Sequence, residues 1–471
     1  MNDERFSLTT RIGRPAAEVF AWHERPGALA RLCPPWERVE LVAATGGLRD
    51  GARVTVRNRI GPVWTEWVVE HRDFMAGRQF RDVQLRGPFA RWEHLHRMEA
   101  DGPEACRLTD EIVYRLPGGA VGRALGGGFA QKKLAQLFAW RHATTKADVE
   151  LTARYGVVRP KRVVIAGASG LIGRTLGPLL QTQGHTVLRL VRRPPAGEGE
   201  ILWNPGRREL DPAALEGVDA IVNLAGENVA AGRWTAARCE SILCSRVDAT
   251  RTLTDTVRKL TRKPEVLVNA SAVGFYGGRG DEMLTETAAI GHGFLPGVVL
   301  AWETHAETAG RAGVRTALLR FGVVLTPAGG ALAKILPLFR LGLGGRIGDG
   351  RQWMSWIGVD DAAGAVYHAI MEPRCTGPLN TVAPQPVTNA EFTDTLARVL
   401  GRPAALPVPA AALRAVFGRM ADETLLASTR AVPAALTAAG YAFRNATLEA
   451  TLRHVLGREG TPLAVSGRRA D

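Results

Sequence analysis

Apolar and polar positions alternate with a period of two through most of residues 1–150, and this pattern predicts an antiparallel sheet. Phe6, Leu8 and Thr10 belong to the predicted first strand, and two short helices are predicted over residues 15–32. Glycine, proline and aspartate turns separate six further predicted strands at 36–44, 52–60, 63–73, 78–86, 89–99 and 105–116. We therefore expect the strands to form a meander.

The end of this region predicts a long helix that follows the sheet. A glycine-rich link over 118–128 leads into a predicted helix over 129–149, with Leu134, Leu137 and Phe138 on one side. One strand, two small helices, six strands and a long final helix is the element order of the helix-grip domains. Residues 1–150 thus resemble the START-like or polyketide cyclase/dehydrase superfamily. The resemblance implies an α+β fold, in which an antiparallel sheet wraps a long helix around a cavity for an apolar ligand.

Polar side chains alternate along one of the predicted strands of this domain. Trp92, His94 and His96 share a face, and Asp110 lies on the corresponding face of the next strand. If these faces line the cavity, Trp92 and His94 contact the bound molecule. The alternatives are a solvated face, or hydrogen-bonded histidines without chemistry. No metal site is expected, because no third ligand is evident beside the two histidines.

From residue 161 strands alternate with helices, after a predicted linker over 151–160. The run Val163-Val164-Ile165 predicts a buried parallel strand, and three glycines follow at G-x-x-G-x-x-G spacing. Glycine permits a tight turn and a close backbone approach, and a helix N-terminus attracts phosphate, so this unit is typical of dinucleotide binding. The alternative is a purely structural turn. The predicted cofactor-binding residues here are Gly167, Ala168, Ser169, Gly170, Leu171, Ile172 and Gly173.

The next predicted strand, over 185–191, carries the signal for the kind of nucleotide. Where an acidic residue would bind the ribose 2′-hydroxyl of NAD(H), the chain has Arg192 and Arg193. Guanidinium groups suit a 2′-phosphate, so the pair predicts NADP(H) as the cofactor. The alternative is that both are ordinary surface arginines.

Later motifs follow the order found in one large superfamily. A strand that ends in Asn223-Leu224-Ala225-Gly226 after a glycine turn resembles the short-chain dehydrogenase/reductase superfamily, which implies that these four residues pass under the nucleotide. Further matches lie at 266–277, 318–324, 348–352, 355–357 and 359–361, and those at 245–246, 302–303 and 406–456 resemble the atypical, epimerase-like (sugar nucleotide epimerase-like) branch. The resemblance implies a Rossmann domain, a doubly wound parallel α/β sheet over 161–456, with a small C-terminal substrate-side lobe over 400–456.

The catalytic pair usual in that superfamily is missing. Ordinary members use a tyrosine and a lysine four residues later, because a phenol with a pKa near 10 needs a nearby cation at neutral pH. Here Val299 occupies the tyrosine position and Glu303 the lysine position. A compensating set is Tyr276 as proton donor, Arg246 as the cation beside it, and Ser271 orienting a carbonyl.

Other roles remain open for these residues. Tyr276 could instead line the pocket or pack in the core, and Arg246 could form an ion pair with Glu303. The resemblance places Glu303, Gln352, Ser355 and Trp356 on the substrate side. Structural hydrogen bonding, or core packing for the tryptophan, is the alternative.

Composition restricts the partners and the cellular location that we expect for this protein. The chain has 471 residues and a net charge of +14, but the excess is dispersed arginine, so no nucleic acid partner is expected. Its five cysteines are scattered, which fits reduced thiols and a cytoplasmic protein. No signal peptide or membrane span is predicted, the tail over 457–471 is predicted to be disordered, and no oligomeric state is predicted.

Two functions are compatible with these features. The first is an NADP(H)-dependent oxidoreductase or isomerase acting on a small molecule, with an apolar ligand in the N-terminal cavity. The second is an NADP(H)-binding sensor or ligand carrier without catalysis.

Overall fold

The computed structural model describes residues 3–60, 63–156 and 158–459, and these form two compact units. The first consists mainly of the chain up to Val158, and the second of residues 159–180 and 184–453. In the described part of the chain, none of the helices is both long enough and apolar enough to span a bilayer. The predicted disordered tail lies outside the described residues from position 460 onward.

The first unit is a seven-stranded antiparallel sheet with three helices. The sheet order is β1-β7-β6-β5-β4-β3-β2, so each strand from β2 to β6 pairs with the next, and β1 pairs with β7. This confirms the predicted antiparallel fold. The elements are β1 (Glu4–Ile12), α1 (Ala16–Glu24), α2 (Ala28–Arg31), β2 (Val39–Thr45), β3 (Arg53–Ile60), β4 (Val63–Met75), β5 (Gln79–Arg86), β6 (Arg91–Ala100), β7 (Cys106–Arg115) and α3 (Gly119–Ala153).

Helix α3 is longer than its sequence predicted. The glycine-rich stretch expected to be a link forms its first turns, and the helix runs to Ala153, into the predicted linker. Glycine costs only about 1 kcal/mol per helical residue, which packing can offset. At Gly122 a Cβ would lie 1.8 Å from the Pro117 carbonyl oxygen, so a side chain there would collide with the preceding turn. Further along, Leu134 and Phe138 are buried against Phe6 of β1.

The second unit is built around an eight-stranded sheet of order β11-β10-β9-β8-β12-β13-β15-β19. Its strands are β8 (Arg162–Ala166), β9 (Thr186–Val191), β10 (Glu200–Asn204), β11 (Glu209–Leu210), β12 (Ala220–Asn223), β13 (Val266–Ala272), β15 (Arg315–Phe321) and β19 (Gly377–Thr381). All pair in parallel except β11, which is antiparallel to β10. The predicted Rossmann sheet is confirmed. The strand order reverses between β8 and β12, and ligands of such sheets bind at that switch point.

Helices and three small sheets complete this unit. The helices are α4 (Leu171–Thr182), α5 (Pro212–Leu215), α6 (Ala236–Lys259), α7 (Phe294–Glu307), α8 (Gly330–Arg340), α9 (Val359–Met371), α10 (Asn389–Leu400), α11 (Ala410–Phe417), α12 (Ala434–Ala438) and α13 (Leu448–Val455). The two-stranded sheets pair β14 (Met283–Leu284) with β21 (Arg430–Ala431), β16 (Val323–Leu325) with β18 (Trp356–Gly358), and β17 (Trp353–Met354) with β20 (Val387–Thr388). These small sheets join the segment after β13 and the segment around Trp356 to the C-terminal part of the unit.

Candidate functional site

The glycine turn after β8 brings helix α4 directly against the strand. Gly167 has φ +81°, a conformation that residues with a Cβ rarely adopt, and a Cβ there would lie 2.7 Å from the Leu224 carbonyl carbon. A Cβ on Gly173 would lie 2.4 Å from the Gly167 carbonyl oxygen. The turn is closed by a hydrogen bond from the Gly170 N–H to that same oxygen. Ser169 and Gly170 are exposed at the start of α4, where backbone N–H groups can meet an anion.

The loop after β12 lies next to this turn, across the switch point. The Leu224 N–H donates to the Ala166 carbonyl of β8. The buried Asn223 side chain donates to Thr250 Oγ1 and to Asn269 Oδ1, and its Oδ1 accepts from the Ala225 N–H. The structure therefore brings both predicted cofactor segments together at the carboxyl ends of β8 and β12.

Arg192 and Arg193 follow β9 and differ in their surroundings. The Arg193 guanidinium is held by the Glu200 carboxylate, with both N···O distances at 2.8 Å. Arg192 is exposed and makes no hydrogen bond or ion pair within the described residues. Of the two arginines, Arg192 is therefore the one with its guanidinium available to a ligand.

A buried polar network occupies the place where the superfamily has its catalytic pair. Ser271 of β13, Arg320 of β15 and Asn380 of β19 are register partners on adjacent strands. Ser271 Oγ donates to Glu303 Oε1 at 2.5 Å, and Arg320 binds both carboxylate oxygens of Glu303 at 2.8 Å. The lysine position thus holds a carboxylate that a buried arginine neutralises.

Tyr276 is part of the same network. It lies in the 3-10 turn Val273–Tyr276 after β13 and is fully buried. Its hydroxyl donates to Asn380 Oδ1 at 2.7 Å and accepts from Arg320 Nη1 at 3.0 Å. Burial raises the pKa of the Tyr276 phenol above its usual value, although Arg320 opposes this shift. The phenol is therefore protonated at neutral pH.

Arg246 has neither the candidate role beside Tyr276 nor the alternative role as the partner of Glu303. The cation beside Tyr276 is Arg320, and Glu303 pairs with Arg320 rather than with Arg246. The Arg246 guanidinium instead lies over the Trp302 ring at 5.1 Å and donates to the carbonyls of Ile242 and Glu227. Burial lowers the pKa of Arg246 to about 10, so it keeps its charge at neutral pH. A Cβ on Gly226 would lie 3.2 Å from its Cζ, so Arg246 borders the loop after β12.

The residues expected to face a substrate form structural hydrogen bonds. Gln352 Nε2 donates to the Ile347 and Leu425 carbonyls, and Ser355 Oγ donates to the Thr429 carbonyl while accepting from the Ala431 N–H. Trp356 is fully buried and its indole N–H donates to the Gln385 carbonyl. These contacts favour the structural alternative for all three residues.

In the first unit, the predicted polar face points into the interior. His94 and His96 are 2% and 6% exposed, so the alternative of a solvated face is wrong. Trp92 is buried too and stacks edge-on against Trp67 at 5.0 Å. Asp110 accepts from His94 Nε2 at 3.0 Å and from His142 Nε2 at 2.7 Å.

The histidines of this interior differ in charge. Burial lowers the pKa of His94 to about 4, whereas the contacts of His96 with Asp110 and Asp82 outweigh its burial and raise its pKa to about 9. The same histidines hold the pKa of Asp110 well below its usual value, against its burial. Asp82 lies beside both histidines and supplies the third ligand-type group that is not evident from the sequence, so the expectation that no metal-ligand set exists here is not met.

Two residues at these two sites, Arg320 in the Rossmann unit and Asp82 in the N-terminal unit, are not among the predicted site residues, although the sequence contains a signal for each. Arg320 is a lone charge in the apolar run Leu318-Leu319-Arg320-Phe321, and a charge in a buried strand requires a partner. Asp82 is an acidic residue at an inward position of β5, two residues after the buried Phe80.

Comparison with known proteins defines the class of each unit. Residues 163–380 match the model of the NAD dependent epimerase/dehydratase family, and residues 3–150 match that of polyketide cyclase / dehydrase and lipid transport. Residues 408–455 match a domain of unknown function, DUF1731. The fold and the glycine turn thus define an epimerase-type Rossmann protein with a polyketide-cyclase-type domain before it.

Individual relatives narrow this class to one family. An epimerase family protein of Mycobacterium bovis is 47% identical over 298 residues, which cover 63% of this chain and 98% of that protein. The chain belongs to the epimerase family, as its motifs predicted. A crystal structure described as the nucleoside-diphosphate sugar epimerase from Corynebacterium glutamicum is 34% identical, with a TM-score of 0.80, over 97% of this chain and 91% of that one. The human epimerase family protein SDR39U1 (isoform 2), solved with NADPH, is 36% identical, with a TM-score of 0.59, over 62% of this chain and 98% of that one.

Proposed function

We propose that residues 161–456 form a domain that binds NADP(H) and uses it in oxidoreductase or isomerase chemistry on a small molecule. The observation that carries the proposal is the turn at the switch point, where Gly167 and Gly173 leave no room for a Cβ and the N-terminus of α4 is exposed. This turn fits a pyrophosphate, since the tight turn at Gly167 and the close packing of α4 at Gly173 place the exposed N-terminus of the helix where its N–H groups can meet the phosphates. When bound, the nicotinamide would supply a hydride donor or acceptor.

The preference for NADP(H) rests on the arginines after β9. Arg193 is engaged by Glu200, which leaves Arg192 to bind a 2′-phosphate. The human relative solved with NADPH supports this assignment.

Replacing Arg192 with alanine should remove the preference for NADPH over NADH. A charge-assisted phosphate contact contributes about 1.5–3 kcal/mol, so we expect NADPH to bind about 10–100-fold more weakly to Arg192→Ala, with NADH unchanged. The matched control is Arg193→Ala. Because the Arg193 guanidinium is already paired with Glu200, we expect this variant to lose less than about threefold in NADPH affinity. Calorimetric titration of the full chain with both nucleotides measures this. Equal losses of NADPH affinity in the two variants would show that both arginines bind the 2′-phosphate. If neither variant loses NADPH affinity, the arginines do not explain a preference for NADP(H).

Within the buried network, we assign proton donation to Tyr276. Its phenol is protonated at neutral pH, and Arg320 lies 3.0 Å away to stabilise the anion left by proton loss. Ser271 would orient the carbonyl that the phenol protonates, and Arg246, beside the loop after β12, would add positive charge near the bound nucleotide.

Tyr276→Phe tests this role. Loss of general acid catalysis should lower kcat by about 10²–10⁴-fold, while NADPH affinity stays within about threefold of the wild-type value. The measurement is NADPH oxidation with a carbonyl substrate found by screening. Tyr114→Phe, which removes a buried tyrosine hydroxyl bonded to Glu4, controls for the loss of a hydrogen bond alone. If Tyr276→Phe keeps the wild-type kcat, the Tyr276 hydroxyl is not the proton donor, and its role is structural, through its hydrogen bonds with Arg320 and Asn380.

A second function is favoured by one specific observation. The Tyr276 hydroxyl is fully buried with its donor and its acceptor role both filled inside the protein, and Val299 and Glu303 replace the usual pair. Such a domain could bind NADP(H) without turnover and act as a sensor, with residues 1–150 carrying an apolar ligand. In that case NADPH binds tightly, no carbonyl compound promotes its oxidation, and NADPH changes the affinity of the N-terminal unit for its ligand.

A further inference from the structure

Three ligand-type atoms converge inside the N-terminal unit. Asp82 Oδ2 lies 3.5 Å from His96 Nε2 and 3.8 Å from His94 Nδ1, and one ligand atom from each of the three residues lies within 4.8 Å of the others. The shorter distance is that of a long hydrogen bond between Asp82 and His96, and the longer one exceeds hydrogen-bond length. Both distances are close to the roughly 3.4 Å that separates two ligand atoms on a tetrahedral ion with bonds of about 2.1 Å.

The sheet fixes this arrangement through its register. Asp82 of β5 pairs directly with His94 of β6, and His96 lies two residues further along β6, on the same face. His71 of β4 is the register partner of Asp82 on the other side. The three groups therefore belong to regular, paired strands rather than to a loop, and their spacing is set by the backbone.

Contacts behind the three groups orient them towards a common point. His71 Nδ1 lies 2.6 Å from Asp82 Oδ1, which leaves Oδ2 directed at the two histidines. Asp110 Oδ1 accepts from His94 Nε2 and lies 2.7 Å from His96 Nδ1. In both rings the nitrogen that faces away from Asp82 therefore meets a carboxylate. A carboxylate behind a histidine is the usual outer partner of a metal-binding imidazole.

The rest of the interior keeps Asp110 in place, and the three groups differ in their exposure. His142 Nε2 lies 2.7 Å from Asp110 Oδ2, and Thr10 meets the other nitrogen of the same ring. The side chains of His94 and His96 are 3% and 7% exposed, whereas that of Asp82 is 20% exposed. Of the three groups, Asp82 is therefore the one most exposed to solvent.

We propose that Asp82, His94 and His96 bind one divalent first-row transition metal ion. Two imidazoles and one carboxylate suit Zn²⁺ and Fe²⁺, and three protein ligands leave a coordination position open for water or a ligand oxygen. The site lies in the unit that matches polyketide cyclase and lipid transport proteins, and the proposal does not depend on NADP(H) binding.

The test is a metal titration of the full, untagged chain after treatment with a chelator. Zn²⁺ is titrated against a chromophoric indicator, and Co²⁺ is titrated by its visible absorption, which reports the geometry and the kind of ligand. We expect one equivalent to bind with a Kd below about 1 μM and to release the His96 proton to the solvent, since a preformed three-ligand site with outer contacts binds Zn²⁺ tightly once its imidazoles are neutral.

Two aspartate variants provide the comparison. Asp82→Asn keeps the size of the side chain but removes an anionic ligand, and should weaken Zn²⁺ binding at least about 100-fold. Asp110→Asn changes only the outer partner and should weaken it about 10–100-fold. The control is Asp101→Asn, the same substitution at an aspartate of this unit that pairs with Arg11 and Arg107, and it should leave affinity unchanged.

Several results would overturn the proposal. These are a Kd above about 10 μM, unchanged affinity in Asp82→Asn, or a thiolate-to-cobalt absorption band, which would place the ion on a cysteine such as the exposed Cys244. Circular dichroism checks that each variant is folded. If Asp82→Asn does not fold, His94→Gln replaces it, with the same expected loss.

Discussion

Arg320→Met should lower the free energy of unfolding of the Rossmann unit by about 3–5 kcal/mol, because it leaves the Glu303 carboxylate buried without its cation. The side chains of Arg320 and Glu303 are 4% and 7% exposed, and two hydrogen bonds of 2.8 Å join them. The substitution also removes a donor to Tyr276 and the contact of the guanidinium with the Phe275 ring. Urea unfolding followed by fluorescence and circular dichroism measures the loss.

The double variant Arg320→Met/Glu303→Gln distinguishes the charge from the rest of the network. Removing both charges takes away the unpaired buried carboxylate, so more than half of the loss should be recovered. If the double variant is as unstable as Arg320→Met, the loss comes from packing and from the bonds to Tyr276, and the ion pair itself contributes little.

Gly173→Ala should abolish tight nucleotide binding. The added Cβ would lie 2.4 Å from the Gly167 carbonyl oxygen and 2.7 Å from Ala168 Cα, so α4 must move away from the turn. Since α4 is expected to present its N–H groups to the pyrophosphate, NADPH affinity should fall at least about 100-fold, with a loss of about 1–3 kcal/mol in stability.

The matched control lies one turn further along the same helix. Apart from its neighbours in the chain, a Cβ on Gly177 meets nothing within 4 Å, so Gly177→Ala should leave NADPH binding unchanged. Since Gly177 precedes Pro178 inside the helix, where a Cβ is disfavoured, we expect a small loss of stability rather than a gain. Calorimetric titration and thermal unfolding of the two variants measure these effects. Wild-type NADPH affinity in Gly173→Ala would mean that the turn is a structural feature only.

Local patterns predicted the elements of this chain well. The strands of the first unit were placed within a few residues, because alternation and turn residues report directly on a sheet with one buried face. The start of α3 was wrong, because glycine lowers helix propensity without reporting on close contacts such as that of Gly122 with Pro117. The glycine turn was recognisable because its geometry depends on a short, continuous segment.

The partners of the polar residues were harder to predict. The sequence points to Glu303 and Tyr276, but their cation, Arg320, lies on strand β15, and nothing in the sequence chooses between it and Arg246 as their partner. In the same way, Asp82 meets His94 only through the pairing of β5 with β6. A sequence shows that a buried charge needs a partner, whereas the register of a sheet decides which residue it is.

The pairing of β1 with β7 has a consequence for the order of folding during synthesis. Glu4 is the register partner of Tyr114 and Ile12 that of Cys106, so the first strand finds its neighbour only after more than a hundred residues have been made. The ribosome must release β7 before β1 can join the sheet, whereas each strand from β3 to β7 can pair with its predecessor as it emerges. In a nascent chain that ends before β7, β1 therefore has no strand to pair with. Its apolar side chains stay exposed, so the chain can bind chaperones or aggregate.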